Sequence, residues 1–204
     1  VTVGANSSEL TKEWTKLLGT GAGDQANALA AAEDGSIYVS GFTSGSLDEN
    51  TNSGGVDAFI TKFNSDGTKA WTQLLGSISN DYARAMTTGA DGSVYISGYT
   101  NGSLDAEANS GGADAFITKY QSDGTKSWTK LLGSSSNDSA YALTTGLDGS
   151  VYVINVYLND VRYAHDIVSS LLKEGVSEII NNYFPNGTID YLINIQITNE
   201  GGNV

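Results

Sequence analysis

Two long loops carry oxygen-bearing side chains at a spacing that suits a divalent cation. The loops are SGSLDENTNSGGV at residues 44–56 and NGSLDAEANSGGA at residues 101–113, each followed by an Asp. Acidic and amide side chains alternate there before glycines that let the backbone turn, which is how compact loops wrap Ca²⁺. The sequence therefore predicts calcium ligands in both loops. They are Asp48, Asn50, Asn52 and Asp57 in the first copy and Asp105, Glu107, Asn109 and Asp114 in the second.

The calcium hypothesis has a structural alternative. Compared with an EF-hand loop, Gly54 and Gly111 fall at position 7 instead of position 6, and no Glu stands at position 12. Ser, Asn, Asp and Gly also make ordinary exposed turns, and Asp57 and Asp114 could cap backbone N–H groups where a strand begins. Both interpretations stay open at this point.

Residues for other chemistry are scarce. The chain has no Cys and one His, His165, beside Asp166. A single His without a second His, a Cys or a G-x-S-x-G motif cannot build a nucleophilic triad, and such a His is usually a surface residue. The Gly-Gly pairs of the long loops precede a strand pattern instead of a helix, which argues against a phosphate-binding loop. We therefore predict that the protein is not an enzyme and has no catalytic residue.

Aromatic residues recur at a fixed interval of 57 residues. Because aromatic faces stack on sugars, they are candidates for glycan binding. Their presence in strand patterns of every repeat favours a role in a core between repeats. The residues are Trp14, Trp71 and Trp128, with Tyr38, Tyr95 and Tyr152.

The interval of 57 residues organises most of the chain. Residues 14–70 and 71–127 are identical at 34 of 57 aligned positions, which makes chance similarity untenable. Four strand patterns follow one another in each period: a small-residue run, a Tyr run, DAFITK and a Trp run. Asp-Gly dipeptides such as Asp34-Gly35 and Asp66-Gly67 separate them and predict hairpins with type I′ turns.

Four antiparallel strands in each repeat are typical of a β-propeller blade, whereas the coils of a β-solenoid are usually shorter. We predict a mainly β protein made of propeller-like four-stranded antiparallel blades. A lone Trp strand at 13–19 would come first, followed by two full blades and the first two strands of a third. Because a closed propeller usually needs at least four blades, the chain would form a partial propeller or arc.

The segment GGVDAFITKFNSDGTKAWTQLLG at 54–76, followed by NDYARAMTTGADGSVYISGYT at 80–100, resembles the bacterial β-propeller repeat known as the SBBP repeat. The elements GG-x-DAF, SDGT-x-x-W and DGSVY stand in the order of that family, and the resemblance covers roughly residues 13–153. It implies a propeller in a secreted or surface-attached bacterial protein, and it implies no particular reaction.

The sequence from residue 154 onward follows a different pattern. Apolar residues at three- and four-residue spacing from about 164 to 184 predict an amphipathic helix, and alternation from Ile189 to Ile197 predicts a strand. We therefore predict three parts: a lead-in segment at 1–12, the repeat region at 13–153, and a small α/β tail of strand, helix and strand at 154–204. A right-handed crossover is expected if the two tail strands share a sheet.

Composition restricts the partners. Asp and Glu number 23 against 10 Lys and Arg, and the net charge of −13 argues against nucleic acid. No apolar run approaches the roughly 18 residues that span a bilayer. The tail and the exposed blade edges predict association of the chain with itself, as a homo-oligomer or polymer. We expect an extracellular or cell-surface structural or adhesion module; the alternative is a calcium-dependent carbohydrate-binding (lectin-like) module with glycans as partners.

Overall fold

The structure, a computed structural model, describes residues 14–146, 151–156 and 193–198 and contains two four-stranded antiparallel blades. Strand order follows chain order in each blade, because every strand pairs with the next one along the chain. The predicted fold class is confirmed for this part of the protein. Blade 1 comprises β1 (Asp24–Ala31), β2 (Ile37–Thr43), β3 (Asp57–Phe63) and β4 (Lys69–Leu75). Blade 2 comprises β5 (Asp81–Thr88), β6 (Val94–Thr100), β7 (Asp114–Tyr120) and β8 (Lys126–Leu132).

A third sheet contains β9 (Ala140–Thr145), β10 (Val151–Val156) and β11 (Ile193–Thr198), in the order β11-β10-β9. Strand β11 lies beside β10, in the position that the DAFITK strands β3 and β7 take beside β2 and β6. The predicted tail strand is therefore present at 193–198. The right-handed crossover is wrong, because β10 and β11 run antiparallel and such a crossover joins parallel strands. The predicted helix at 164–184 and the lead-in segment at 1–12 lie outside the described residues.

The first Trp run does not form the predicted strand. Residues 14–20 have no regular secondary structure. The later Trp strands β4 and β8 gain their hydrogen bonds from the DAFITK strands β3 and β7, and none of the described strands pairs with residues 14–20. The side chain nevertheless packs as its repeats do: the Trp14 ring lies 5.9 Å from the Phe63 ring, and Trp71 lies 6.4 Å from Tyr120.

The Asp-Gly hairpins have a different turn from the one predicted. Type I′ requires positive φ at both central residues, but in the described Asp-Gly pairs only the Gly has it, with φ of 78° at Gly35. The Gly35 N–H donates to Ala32 O and the Ala32 N–H donates to Ser36 O, which makes a three-residue loop. The Asp34 carboxylate accepts the Ser36 N–H at 2.8 Å and so closes the turn with its side chain. Gly67, Gly92 and Gly124 repeat this arrangement.

The hydrophobic core lies between neighbouring blades. Side chains of blade 1 such as Tyr38, Ile60 and Leu75 pack against Ile96 and Phe116 of blade 2. The opposite side of blade 2 packs in the same way against the third sheet. Each blade therefore depends on a neighbour to bury one of its faces.

Side-chain hydrogen bonds join the first strands of neighbouring blades. Asn27 Nδ2 donates to Ala83 O at 2.7 Å, and Thr145 Oγ1 donates to Thr88 O at 2.9 Å. Asn27 and Arg84 each occupy a β-bulge, where the register with the next strand shifts. Bulges redirect a side chain and are common beside functional sites.

The described residues include no helix long and apolar enough to cross a membrane.

Candidate functional site

Asp48 of the first long loop is held by a lysine and a threonine side chain of β4. The Asp48 carboxylate forms an ion pair with Lys69 and accepts a hydrogen bond from Thr72 Oγ1 at 2.5 Å. Burial raises the pKa of Asp48, but the hydrogen bonds from Lys69 and Thr72 outweigh burial and lower it below its usual value. Asp48 and Glu49 both have positive φ, so the chain turns tightly here.

The second long loop repeats this arrangement. The Asp105 carboxylate pairs with Lys126, and Glu107 Oε1 accepts from Lys130 Nζ at 2.6 Å. Burial raises the pKa of Asp105, and the hydrogen bonds from Lys126 and Thr129 outweigh it and lower the pKa. Both loops are therefore fastened to the Trp strands β4 and β8 by charge pairs.

The amide side chains of the loops turn their N–H groups to backbone carbonyls. Asn50 Nδ2 donates to Thr72 O at 3.1 Å, and Asn52 Nδ2 donates to Thr43 O at 3.3 Å. Asn109 Nδ2 donates to Thr100 O at 3.4 Å. The amide oxygens of Asn52 and Asn109 accept the N–H of the residue two positions later, at 3.0 Å in both loops. These contacts shape the turns.

The last predicted ligand of each loop lies at the start of a strand. Asp57 and Asp114 are fully buried, and Oδ2 of each accepts a backbone N–H, from Ser53 at 2.7 Å and Ser110 at 2.6 Å. The alternative that these carboxylates cap backbone groups is thus confirmed. Oδ1 of each is buried without a hydrogen-bond partner. Burial raises the pKa of Asp57, and the nearby charge of Asp81 adds to the rise.

The predicted ligands are expected to form one calcium site in each loop. In residues 14–146, 151–156 and 193–198, no group of three or more His, Cys, Asp or Glu side chains is placed to hold a metal ion. Calcium binding stays a prediction.

The periodic aromatic residues lie between blades. The Tyr38 and Trp71 rings are 5.8 Å apart, and Tyr95 and Trp128 are 6.1 Å apart. Trp71 Nε1 donates to Ser122 O of blade 2 at 3.1 Å. These positions agree with the expected core role between repeats.

An apolar cleft of about 370 Å³ lies on the side of blade 1 that faces away from blade 2. Segment 14–20 covers part of it, and within the cleft Leu17 is 99% exposed and Leu29 is 66% exposed. We call this surface the open face. Its strand and loop residues are Ala26, Leu29, Ile37, Val39, Leu47, Phe59 and Phe63.

The open face has an equivalent in blade 2 that is covered. Each of its residues corresponds, 57 positions later, to a residue in the core between blades 1 and 2. The side chains that fill the space there are Tyr38, Ala58, Ile60 and Leu75. Segment 14–20 supplies the equivalents of the Trp strand alone, so the cleft lies where the Tyr and DAFITK strands of a neighbouring blade would pack. The equivalent residues are Ala83, Met86, Val94, Ile96, Leu104, Phe116 and Tyr120.

A second surface feature combines aromatic rings with a guanidinium. The Phe42 and Tyr82 rings meet edge-on at 5.0 Å, and Tyr82 stacks on Tyr99 at 4.9 Å. The Arg84 guanidinium lies 5.5 Å from the Tyr82 ring centre and 5.4 Å from that of Tyr99. All four side chains are half-buried. We call these four residues the aromatic–arginine cluster.

The repeat pattern does not predict this cluster, because the pattern identifies positions that keep their residue type from copy to copy. Phe42 comes from blade 1 and the other three residues come from blade 2, so linear spacing does not bring them together. The available signal was a difference between copies: Tyr82 and Arg84 stand where the first copy has Gln25 and Asn27.

Comparisons with known proteins give a distant likeness. No protein-family model matches the chain. The chain is 33% identical over 182 residues to the regulatory protein FlaEY of Caulobacter vibrioides, a match that covers 80% of this chain and 19% of that protein. The chain thus spans about a fifth of the length of the curated relative it matches. Among solved structures, a protein of unknown function from Bacteroides caccae is similar, with a TM-score of 0.40, 12% identity, and coverage of 66% of this chain and 42% of that one.

Proposed function

We propose that this chain is a non-enzymatic structural or adhesion module of a secreted or surface-attached bacterial protein, built from propeller blades of the SBBP type, and that it associates with further copies of itself. The acidic side chains of the long loops form ion pairs with Lys69, Lys126 and Lys130 within the fold. Carboxylates engaged in this way favour a structural or binding role over a catalytic one. The resemblance of the repeats to the SBBP family supports the extracellular location.

The open face is the observation that carries this proposal. Blade 2 buries the same set of positions against blade 1, and this packing shows which side chains fit on such a face. The equivalent faces of blades 1 and 2 are already covered by the sheet that follows each of them, so the third sheet of a second copy, which carries Tyr152 at the position of Tyr38, is the surface that would pack there. Burying apolar surface contributes about 25 cal/mol for each Å², so covering the exposed Leu29 and the half-buried Ile37 and Val39 favours association.

Sedimentation velocity over a range of protein concentrations tests the proposal. The wild-type weight-average mass is expected to rise with concentration. Leu29→Lys places a charge on the open face and is expected to keep the protein monomeric, because docking would bury that charge without a partner. A compact wild-type monomer at every concentration would contradict self-association.

The chain offers a matched control for that variant. Ile78 is also a large apolar residue, 91% exposed, and it lies outside the cleft. Ile78→Lys should therefore associate as the wild type does. An equal loss of association in both variants would show that added charge, instead of the open face, is responsible.

Calcium-dependent carbohydrate binding is the second candidate function. The observation in its favour is the pair of fully buried carboxylate oxygens, Asp57 Oδ1 and Asp114 Oδ1, that have no hydrogen-bond partner. Buried polar atoms without partners are rare in folded proteins and mark positions where an ion can bind. Calorimetric titration with millimolar Ca²⁺ should release heat and raise the melting temperature. A silent titration with no thermal shift would remove this candidate.

A further inference from the structure

The aromatic–arginine cluster, which plays no part in the proposed association, differs from the rest of the repeat in both position and chemistry. Arg84 occupies the bulge of β5, and the corresponding bulge residue of β1 is Asn27. Asn27 uses its amide to bind Ala83 O of the next blade. Arg84 instead lies against the rings of Tyr82 and Tyr99 of its own blade.

The guanidinium of Arg84 has unused hydrogen-bonding capacity. Its Nε is buried without a hydrogen-bond partner, and its Nη2 lies 3.4 Å from the Tyr99 hydroxyl, a long contact. The ion pairs of the described residues involve Lys side chains and leave Arg84 without a carboxylate. The Arg84 side chain as a whole is half-buried, so a ligand acceptor that reaches the accessible part of the guanidinium would be stabilising. Carboxylates match the planar fork of Arg with two parallel hydrogen bonds.

The rings beside Arg84 supply a second kind of contact. Phe42, Tyr82 and Tyr99 are half-buried, so each ring keeps some accessible surface next to the guanidinium. Aromatic rings bind flat apolar surfaces, including the C–H faces of sugar rings and other aromatic rings, through dispersion and quadrupole interactions. A ligand that joins a carboxylate to a ring could use both contacts at once.

We infer that the aromatic–arginine cluster binds a carboxylate carried on a ring, as in a hexuronate unit of an acidic polysaccharide or in an aromatic acid. The carboxylate would pair with Arg84 and the ring would lie against Tyr82 or Tyr99. The net charge of −13 does not prevent this, because charges farther away than about 8 Å are largely screened at physiological salt.

Blade 1 shows that the cluster is not needed for a blade to fold. The same strand positions hold Gln25 and Asn27 there, and β1 still pairs with β2 in the same bulged register as β5 with β6. Substitution of Tyr82 or Arg84 by its blade 1 equivalent should therefore preserve the fold while removing the proposed contacts.

Calorimetric titration of the full chain with four defined probes tests the inference. The probes are trigalacturonate, galacturonate, benzoate and the neutral sugar maltotriose. We expect saturable binding of at least one carboxylate probe with a dissociation constant at or below about 1 mM, and no binding of maltotriose. Arg84→Asn should weaken binding at least tenfold, Tyr82→Gln should weaken it severalfold, and Arg84→Lys should fall between Arg84→Asn and the wild type because Lys cannot form the paired hydrogen bonds.

The probes distinguish the two sources of the carboxylate, an acidic saccharide and an aromatic acid. Binding of trigalacturonate or galacturonate assigns the site to acidic saccharides, whereas binding of benzoate alone assigns it to aromatic acids. The inference is overturned if neither class binds to folded wild-type protein, if maltotriose binds as tightly as trigalacturonate, or if Arg84→Asn retains full affinity with an unchanged melting temperature. None of these results depends on self-association, which Leu29→Lys tests separately.

Discussion

Blades 1 and 2 share most of their sequence but differ in what lies against them. Ile37 and Val39 of blade 1 are half-buried, whereas Val94 and Ile96, 57 positions later, are fully buried against blade 1. Strand bounds and pairing are the same in the two blades. The repeat sequence therefore defines the blade, while the neighbouring blade determines how much of its apolar surface is removed from water.

Charged positions show the same contrast. Asp24 and Asp81 begin the first strand of each blade and accept a backbone N–H from the residue four positions earlier, Thr20 at 2.6 Å and Ser77 at 2.7 Å. Burial raises the pKa of Asp81 above its usual value. At Asp24 the hydrogen bonds from Thr43 and Thr20 outweigh burial, and the pKa is lowered. The charge of Asp81 also raises the pKa of Asp57 in the preceding blade.

The largest expected effect concerns core packing. Ile96→Ala leaves a cavity between the blades and should lower the free energy of unfolding by about 2–5 kcal/mol. Val39→Ala, at the equivalent position of the open face, should cost about 1 kcal/mol, since its side chain is already half-exposed. Urea denaturation at low protein concentration measures both values. Equal costs would mean that the open face is packed as tightly as the face of blade 2, which would remove the contrast between the blades.

The next effect concerns the turn glycines. Gly124 has a φ of 89°, and an added Cβ would lie 2.8 Å from the Trp71 ring of blade 1. Gly124→Ala should therefore cost about 1–2 kcal/mol for the backbone and about 1–3 kcal/mol more for the clash. Gly92 has a similar φ of 78° but no atom within 4 Å of the added Cβ, so Gly92→Ala should show the backbone cost alone.

Gly67 completes this series. Its added Cβ would meet Trp14 at 2.7 Å, but Trp14 lies in a segment without regular structure that can move away. The midpoint of thermal unfolding should fall most in Gly124→Ala, less in Gly67→Ala and least in Gly92→Ala. If Gly92→Ala were as damaging as Gly124→Ala, contact between the blades would contribute nothing at this turn.

A smaller effect, with opposite signs in the two blades, is expected for the strand-start carboxylates. Asp81→Asn keeps an oxygen to accept the Ser77 N–H and removes a buried charge beside Asp57, so it should stabilise the protein at pH 7 by about 1 kcal/mol. Asp24→Asn should destabilise it, because hydrogen bonds favour the charged form there.

The pH dependence of Asp81→Asn follows from the raised pKa of Asp81. A carboxyl whose pKa is raised in the folded state costs stability at neutral pH, and this cost disappears as the pH falls through the folded pKa toward 3.8. The advantage of Asp81→Asn should therefore shrink between pH 7 and pH 4, and thermal melts across that range measure it. An advantage that grew on acidification would show that the Asp81 charge is favourable in the fold.

The sequence predicted the parts of the fold that depend on local pattern. The interval of 57 residues and the Asp-Gly dipeptides placed all eight strands of the two full blades, because alternation and turn residues act over a few positions. The turn type was wrong because Asp34 stabilises a three-residue loop through its side chain, which a dipeptide pattern does not reveal. The Trp14 strand was wrong because a strand requires a partner, and pairing is a tertiary property.

The candidate sites were less predictable than the fold. The positions of Asp57 and Asp114 at the starts of β3 and β7 followed from the sequence, and so did their capping role as an alternative. The ion pair between Asp48 and Lys69 joins residues on different segments and was not foreseen. Contacts between blades, as at Phe42 and Tyr82, require the packing of two sheets to be known.

The smallest expected effect on stability concerns the ion pairs beside the Asp-Gly turns. Lys119 Nζ lies 3.1 Å from Asp91 Oδ2 in blade 2, and Lys62 Nζ lies 3.4 Å from Asp34 Oδ2 in blade 1. At Asp91 burial raises the pKa, but hydrogen bonds from Ser93 and the pair with Lys119 outweigh it and lower the pKa to about 2. The Asp91 side chain is more than half exposed, so the pair should contribute at most about 1 kcal/mol.

A lowered carboxyl pKa adds stability above the unfolded value of 3.8, and this stability is lost as the pH falls from there to about 2. The difference in unfolding free energy between the wild type and Asp91→Asn should therefore be constant from pH 7 to pH 5 and shrink below pH 4. Asp34→Asn should follow the same course, since the Asp34 pKa is also lowered. Urea melts at each pH measure both differences, and subtraction of the variant cancels the titration of all other groups. A difference for Asp91→Asn that stayed constant down to pH 2 would mean that Lys119 and Ser93 do not favour the charged carboxylate.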